Sequence, residues 1–198
     1  IMPLGAHKAA IMGVAGVSTA DVVLLYDTDH SNVASASITS GITSTYGEYI
    51  FRFYNMNPAT NSTNFTFQCS TDGGSNYDTT VTSATFWAYH NEDGADGTLI
   101  YNTSVDQAQE TAFQPISPGV GGGGDESAAG EMHLFNPSST TYVKHWYSTL
   151  TNSSGDSPTY NYFLKSAGYF NTTSAIDAVQ FKMAAGNFDG TIKMWGVK

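Results

Sequence analysis

Several groups of side chains in this sequence have the residue types that chemistry needs, and each also has a plainer use. The stretch Asn91-Glu92-Asp93-Gly94-Ala95-Asp96-Gly97 crowds carboxylate and amide oxygens into a few positions. Calcium takes about six to eight oxygen ligands, and such a stretch supplies roughly three or four, led by Asp93 and Asp96. It lacks the distal bidentate glutamate of a helix–loop–helix site, and Asn, Asp and Gly are also what a hairpin turn requires. Asp27-Thr28-Asp29-His30 is a smaller group of the same kind. His133 and His145 fall on neighbouring predicted strands and, with Glu131, have the ligand types of a zinc site. Two ordinary sheet histidines would show the same spacing.

Catalytic patterns are missing. Glycoside hydrolysis needs two carboxylates about 5 to 10 Å apart across a cleft, and no pair stands out among the strand-borne Glu48, Glu131 and Asp177. There is no Gly-x-Ser-x-Gly elbow, and Gly121 to Gly124 is followed by neither the lysine nor the helix of a phosphate loop. Cys69 shares a phase with Phe65 and Phe67, which places it in the core rather than at a reaction centre. The expectation is a non-enzymatic protein without a cofactor. Binding is better served: Trp87, Trp146 and Tyr160 flank polar stretches, where exposed rings would stack on sugars or contact another protein.

The elements that must position these residues are strands. Of the 198 residues, 40% are hydrophobic and 13% aromatic, enough for a substantial core, while only 12% are charged. Ser, Thr, Asn and Gly must then make the surface polar, a composition that favours sheets and turns over helices. The clearest alternation is Thr63 to Cys69, with Phe65, Phe67 and Cys69 inward, and Tyr46 to Tyr54 aligns Tyr49, Phe51 and Phe53. Further strands are predicted over 22–26, 33–39, 80–90, 98–103, 131–135, 142–150 and 159–169. Ser104 to Ala112 reads as one helical turn, and Gly119 to Gly130 as a surface loop and the one candidate linker.

The segment from Ala175 to Lys198 reads as a hairpin: Val179, Phe181 and Met183 alternate inward, a Gly/Asn/Asp cluster follows, and Ile192 and Met194 continue the inward face. That leaves Trp195 facing outward, an exposure that marks a contact with another strand, loop or subunit. The fold expected is an antiparallel β-sandwich, jelly-roll-like, over residues 21–198. Residues 1–20, rich in Ala and Gly, read as an extended arm docking on a neighbouring subunit; the alternative of a signal segment is weakened by Gly13 and Gly16 interrupting its apolar core. The net charge of −10 and the lack of a basic stripe argue against nucleic acid, and no apolar run reaches the roughly 20 residues of a membrane-spanning helix.

The closing segment, from Ala178-Val179-Gln180-Phe181 through Gly186-Asn187-Phe188-Asp189-Gly190-Thr191-Ile192-Lys193 to Trp195-Gly196-Val197-Lys198, resembles the C-terminal hairpin of structural proteins of tailed bacteriophages, especially those of marine bacteria. Ser70-Thr71-Asp72-Gly73-Gly74-Ser75, Leu134-Phe135-Asn136-Pro137-Ser138 and the opening Met2-Pro3-Leu4-Gly5 look like further pieces of that pattern. Where those relatives read Leu-Tyr-Gly in the last strand, this chain has Met194-Trp195-Gly196. The resemblance implies a virion component, a capsid decoration or tail-associated protein, assembled in the host cytoplasm with other virion proteins and copies of itself, the expected homo-oligomer being a trimer. It brings no catalytic residues. The competing expectation is a carbohydrate-binding module that recognises host-surface glycans.

Overall fold

A computed structural model describes residues 21–198, so the expected arm over residues 1–20 lies outside the described residues. The regular structure there is all β: β1 (Val22–Val33), β2 (Ala36–Ile38), β3 (Glu48–Pro58), β4 (Thr63–Ser70), β5 (Val81–Asn91), β6 (Gly97–Tyr101), β7 (Ala108–Glu110), β8 (Gln114–Val120), β9 (Ala128–Phe135), β10 (Lys144–Ser153), β11 (Tyr160–Phe170), β12 (Ala178–Met183) and β13 (Phe188–Val197). They form a β-sandwich of two antiparallel sheets. The nine-stranded sheet has the order β1-β13-β3-β9-β10-β11-β5-β6, with β7 also paired to β5, and the four-stranded sheet has the order β2-β12-β4-β8.

Period-two alternation supplies the core between them. Tyr49, Phe51 and Phe53 of β3 face Phe65, Phe67 and Cys69 of β4 and Phe181 of β12, all essentially inaccessible. The Phe53 ring lies 5.1 Å from both Phe65 and Phe181, and Phe51 lies 5.3 Å from Phe181. Burying each such ring contributes about 1.5–3 kcal/mol. Burial also pushes the Cys69 thiol well above its ordinary pKa, as suits an inert core residue.

The C-terminal segment corrects one expectation. Its inward residues Val179, Phe181, Met183, Ile192 and Met194 are buried as read, but β12 and β13 do not pair as a hairpin. Strand β12 pairs with β2 and β4 in the small sheet, and β13 with β1 and β3 in the large one. The stretch between them crosses the sandwich, about 10 Å thick, and is pinned by the Ala184 amide on the Asn64 carbonyl and the Ala59 amide on the Asn187 carbonyl. Two strands that share an inward face satisfy it equally from one sheet or from opposite sheets, so alternation cannot distinguish the two.

Two loop expectations also change. Ser104 to Ala112 contains no helix; β7 pairs with β5, and Ser83 and Gln107 exchange backbone and side-chain hydrogen bonds. So short a helix is marginal by itself, and the free edge of β5 offers its backbone ready partners. The glycine run is shorter and tighter than a linker, because β8 extends to Val120 and β9 begins at Ala128. Glu126 folds back so that its carboxylate accepts the Gly123 amide at 2.6 Å, and the Asn61 side-chain Oδ1 accepts the Gly122 amide. A Cβ on Gly121 would meet that carboxylate and lie 2.9 Å from the backbone carbonyl carbon of Ser154, which cannot move aside as a side chain can. Strands on both sides of the run enter the same core.

Candidate functional site

The aromatic residues singled out by sequence separate into three environments. Trp146 is only 2% exposed, which rules it out as a ligand platform. Its register puts it on the inner face of β10 with Ser148 and Leu150, and it packs edge-on against Phe67 at 4.9 Å. Trp195 sits half-buried on the outer face of β13, cross-strand from Leu24 and Ile50, with the Arg52 guanidinium 5.7 Å from its ring.

Trp87 and Tyr160 are brought together. The large sheet runs beyond the small one at the Tyr160 end of β11 and at β5 and β6, and its inner face there forms a shelf of Trp87, Tyr89, Tyr160 and Tyr162. Their centroids lie 5.0 Å (Trp87–Tyr162), 5.5 Å (Tyr89–Tyr160), 5.6 Å (Tyr89–Tyr162) and 5.9 Å (Tyr160–Tyr162) apart. Burial and the Asp156 carboxylate push the Tyr162 phenol up to about 12, and burial, with Asp96 nearby, raises that of Tyr160. These rings spend their faces on one another. The shelf is a packed tyrosine cluster with an acidic rim.

Most of the metal candidates make structural bonds. Asp93 accepts the Ala95 amide at 2.8 Å and the Asn91 side chain accepts the Asp96 amide at 2.9 Å, the bonding of a hairpin turn between β5 and β6. Asp27 pairs with Lys193 at 2.9 Å, and Asp29 accepts the Thr191 hydroxyl at 2.6 Å. His133 lies between Glu48, 2.5 Å from its Nδ1, and Glu131, 3.5 Å from its Nε2, and stacks on Tyr147 at 4.5 Å; His145 lies against Tyr169 instead. Among the described residues no group of three or more His, Cys, Asp or Glu is arranged to hold a metal ion.

Two features escaped sequence reading. Strand β6 closes the large sheet with every residue exposed, Leu99 at 68% and Tyr101 at 60%. The outer face of the same sheet displays Tyr54, Phe86 and Phe163. Phe86 and Phe163 are each out of phase with the inward residues of their strands, Thr85 and Trp87 in one and Leu164 in the other, and that phase was the available signal. No protein-family model matches the chain, and no curated protein or solved structure matches it significantly.

Proposed function

We propose that this chain is a non-enzymatic structural protein of a bacteriophage virion, a capsid decoration or tail-associated component that joins the particle through the edge of its large sheet. The observation that carries the reading is β6. A sheet edge presents unpaired backbone donors and acceptors, and proteins that stay monomeric guard it with lysine, proline or a bulge. Gly97-Thr98-Leu99-Ile100-Tyr101 has none of these and exposes three large apolar side chains. Such an edge suits pairing with a strand of another copy or of another virion protein.

The strand order supports the jelly-roll form of this reading. Strands β1 and β2 run against β13 and β12, and β3 and β4 against β9 and β8, so one long antiparallel ribbon is rolled across both sheets. The remaining strands extend only the large sheet toward β6. The motifs resembling phage structural proteins and the low-charge, Ser/Thr/Asn-rich composition fit the same setting.

Light scattering of the full chain tests it, with three the expected copy number. Leu99→Lys, placed on an exposed edge, should give a folded monomer and reduce incorporation into particles. A monomeric wild type whose incorporation is unchanged by Leu99→Lys would refute the assembly role.

A further inference from the structure

The outer face of the large sheet carries a second surface, centred on β11 two strands in from the β6 edge, whose chemistry assembly does not use. Two shallow hollows lie side by side on it. One, of about 450 Å³, is floored by Ala129, Thr149 and Thr151, banked by Tyr54 and Phe163, and also lined by Arg52 and Glu131, whose charges pair with each other. The other, of about 300 Å³, has Ala84 and Ala167 in its floor and Phe86 on its bank. Thr149 lines both. Unlike the rings of the inner shelf, and unlike Tyr147, which is covered by His133, the rings of Tyr54, Phe86 and Phe163 have no aromatic partner among the described residues. A lysine ammonium lies 6.0 Å from the centroid of two of them, Lys193 over Tyr54 and Lys165 over Phe163, no aromatic ring covers any of the three, and strands hold them on a rigid base.

Lys165 stands where the hollows meet. In register it lies between Thr149 of β10 and Phe86 of β5, and its Nζ is 6.0 Å from the Phe163 centroid. On the same face Arg52 reaches Glu131 at 3.4 Å and Lys193 reaches Asp27 at 2.9 Å. Lys165 makes no ion pair among the described residues. An ammonium with no carboxylate partner, beside aromatic rings on a chain of net charge −10, is a point at which an anionic group can be held.

These features select an occupant. A pyranose ring has a flat C–H face that covers an aromatic ring and a rim of hydroxyls that threonine side chains can bond. A wholly apolar partner would desolvate Thr149, Thr151 and Lys165 without replacing their bonds, which is costly. A neutral sugar would leave Lys165 without a counter-charge. We propose that this face binds an acidic saccharide, with the rings of Phe163, Phe86 and Tyr54 as platforms and Lys165 paired to a carboxylate of the sugar. The sugar-contacting residues are thus different from Trp87, Trp146 and Tyr160, whose rings are packed or buried.

Affinity electrophoresis and calorimetry of the full chain, with a polyuronate and with a neutral glucan of similar length, test the proposal. The expected result is binding to the polyuronate in preference to the glucan. Phe163→Ala should weaken it about tenfold, the loss typical of a central anchor. Lys165→Gln should weaken it and remove its salt dependence, while Lys165→Arg retains both. Phe163→Tyr should bind as wild type, and keeps the test open if Phe163→Ala does not fold. Absence of polyuronate binding, equal binding to the neutral glucan, or binding untouched by both Phe163→Ala and Lys165→Gln would overturn the proposal. So would variants that change oligomer size in place of saccharide affinity, which would make a second copy the occupant. Phe163 and Lys165 lie on β11, two strands from β6, so a loss of saccharide affinity in their variants at unchanged oligomer size can be told apart from a loss of assembly in Leu99→Lys.

Discussion

Asp72 shows how much one exposed side chain can organise. Its carboxylate accepts the Asn76 amide at 2.9 Å, the Ser70 hydroxyl at 2.7 Å and the Asn76 side chain at 2.7 Å. These bonds, the Asn76 amide foremost, pull its pKa from 3.8 down to about 2. A carboxyl group depressed in the folded state stabilises it fully above the unfolded value and loses that contribution as pH falls through the folded value. The stability difference between wild type and Asp72→Asn should therefore be constant above about pH 4 to 5 and shrink toward pH 2, read from urea midpoints across that range; a pH-independent difference would contradict this account. Phe181 and Phe163 make the complementary comparison. Phe181 touches Phe51, Phe53, Phe65 and Phe67 in the core, so Phe181→Ala should cost about 3–5 kcal/mol. Phe163→Ala on the outer face should cost far less, and equal losses in urea denaturation would mean the faces are misassigned.

At the scale of elements, register determines which side chains meet. Strand β9 carries Gly130 at φ +151°, where a Cβ would lie 2.3 Å from the Thr149 carbonyl oxygen and 2.7 Å from the Leu150 Cα. Backbone cannot move aside as a flexible side chain can. Gly130→Ala should therefore destabilise the protein by about 2–3 kcal/mol, through overpacking and backbone strain together. An unchanged urea midpoint would show that β9 and β10 separate more easily than their pairing implies. The C-terminal strands carry the same lesson in another form: a polar turn between two alternating runs signals a reversal of direction, and here the reversal also changes sheet.

For the whole molecule, the unequal width of the two sheets is decisive. The small sheet ends at β8, over β10 and β11, and the four-strand width it covers holds the core. Strands β5 and β6 project past it, producing both the tyrosine shelf and the bare edge. The described core draws on residues between Ala36 and Met194. Deleting residues 2–19 should consequently leave the melting temperature of the sandwich unchanged while lowering incorporation into particles; a large drop in melting temperature, or unchanged incorporation, would refute the view of that segment as an assembly arm.

What the sequence determined by itself is the all-β class, most strand positions and the inward residues. Period two is a local property, and Phe65, Phe67 and Cys69 show it without reference to anything else. The polar turns around Asp72 and Asp93 were equally legible, because their bonds span only a few residues. Tertiary structure decided which strands became neighbours, and with them the surfaces. Trp146 and Trp87 look alike in sequence, yet one lies under the small sheet and the other beyond its edge. The same holds for β6, an ordinary short strand until its place at the end of the sheet leaves one side unpaired. For Phe163 and Lys165, alternation marks the outward face, and only the long-range pairing of β10, β11 and β5 brings them to a shared groove.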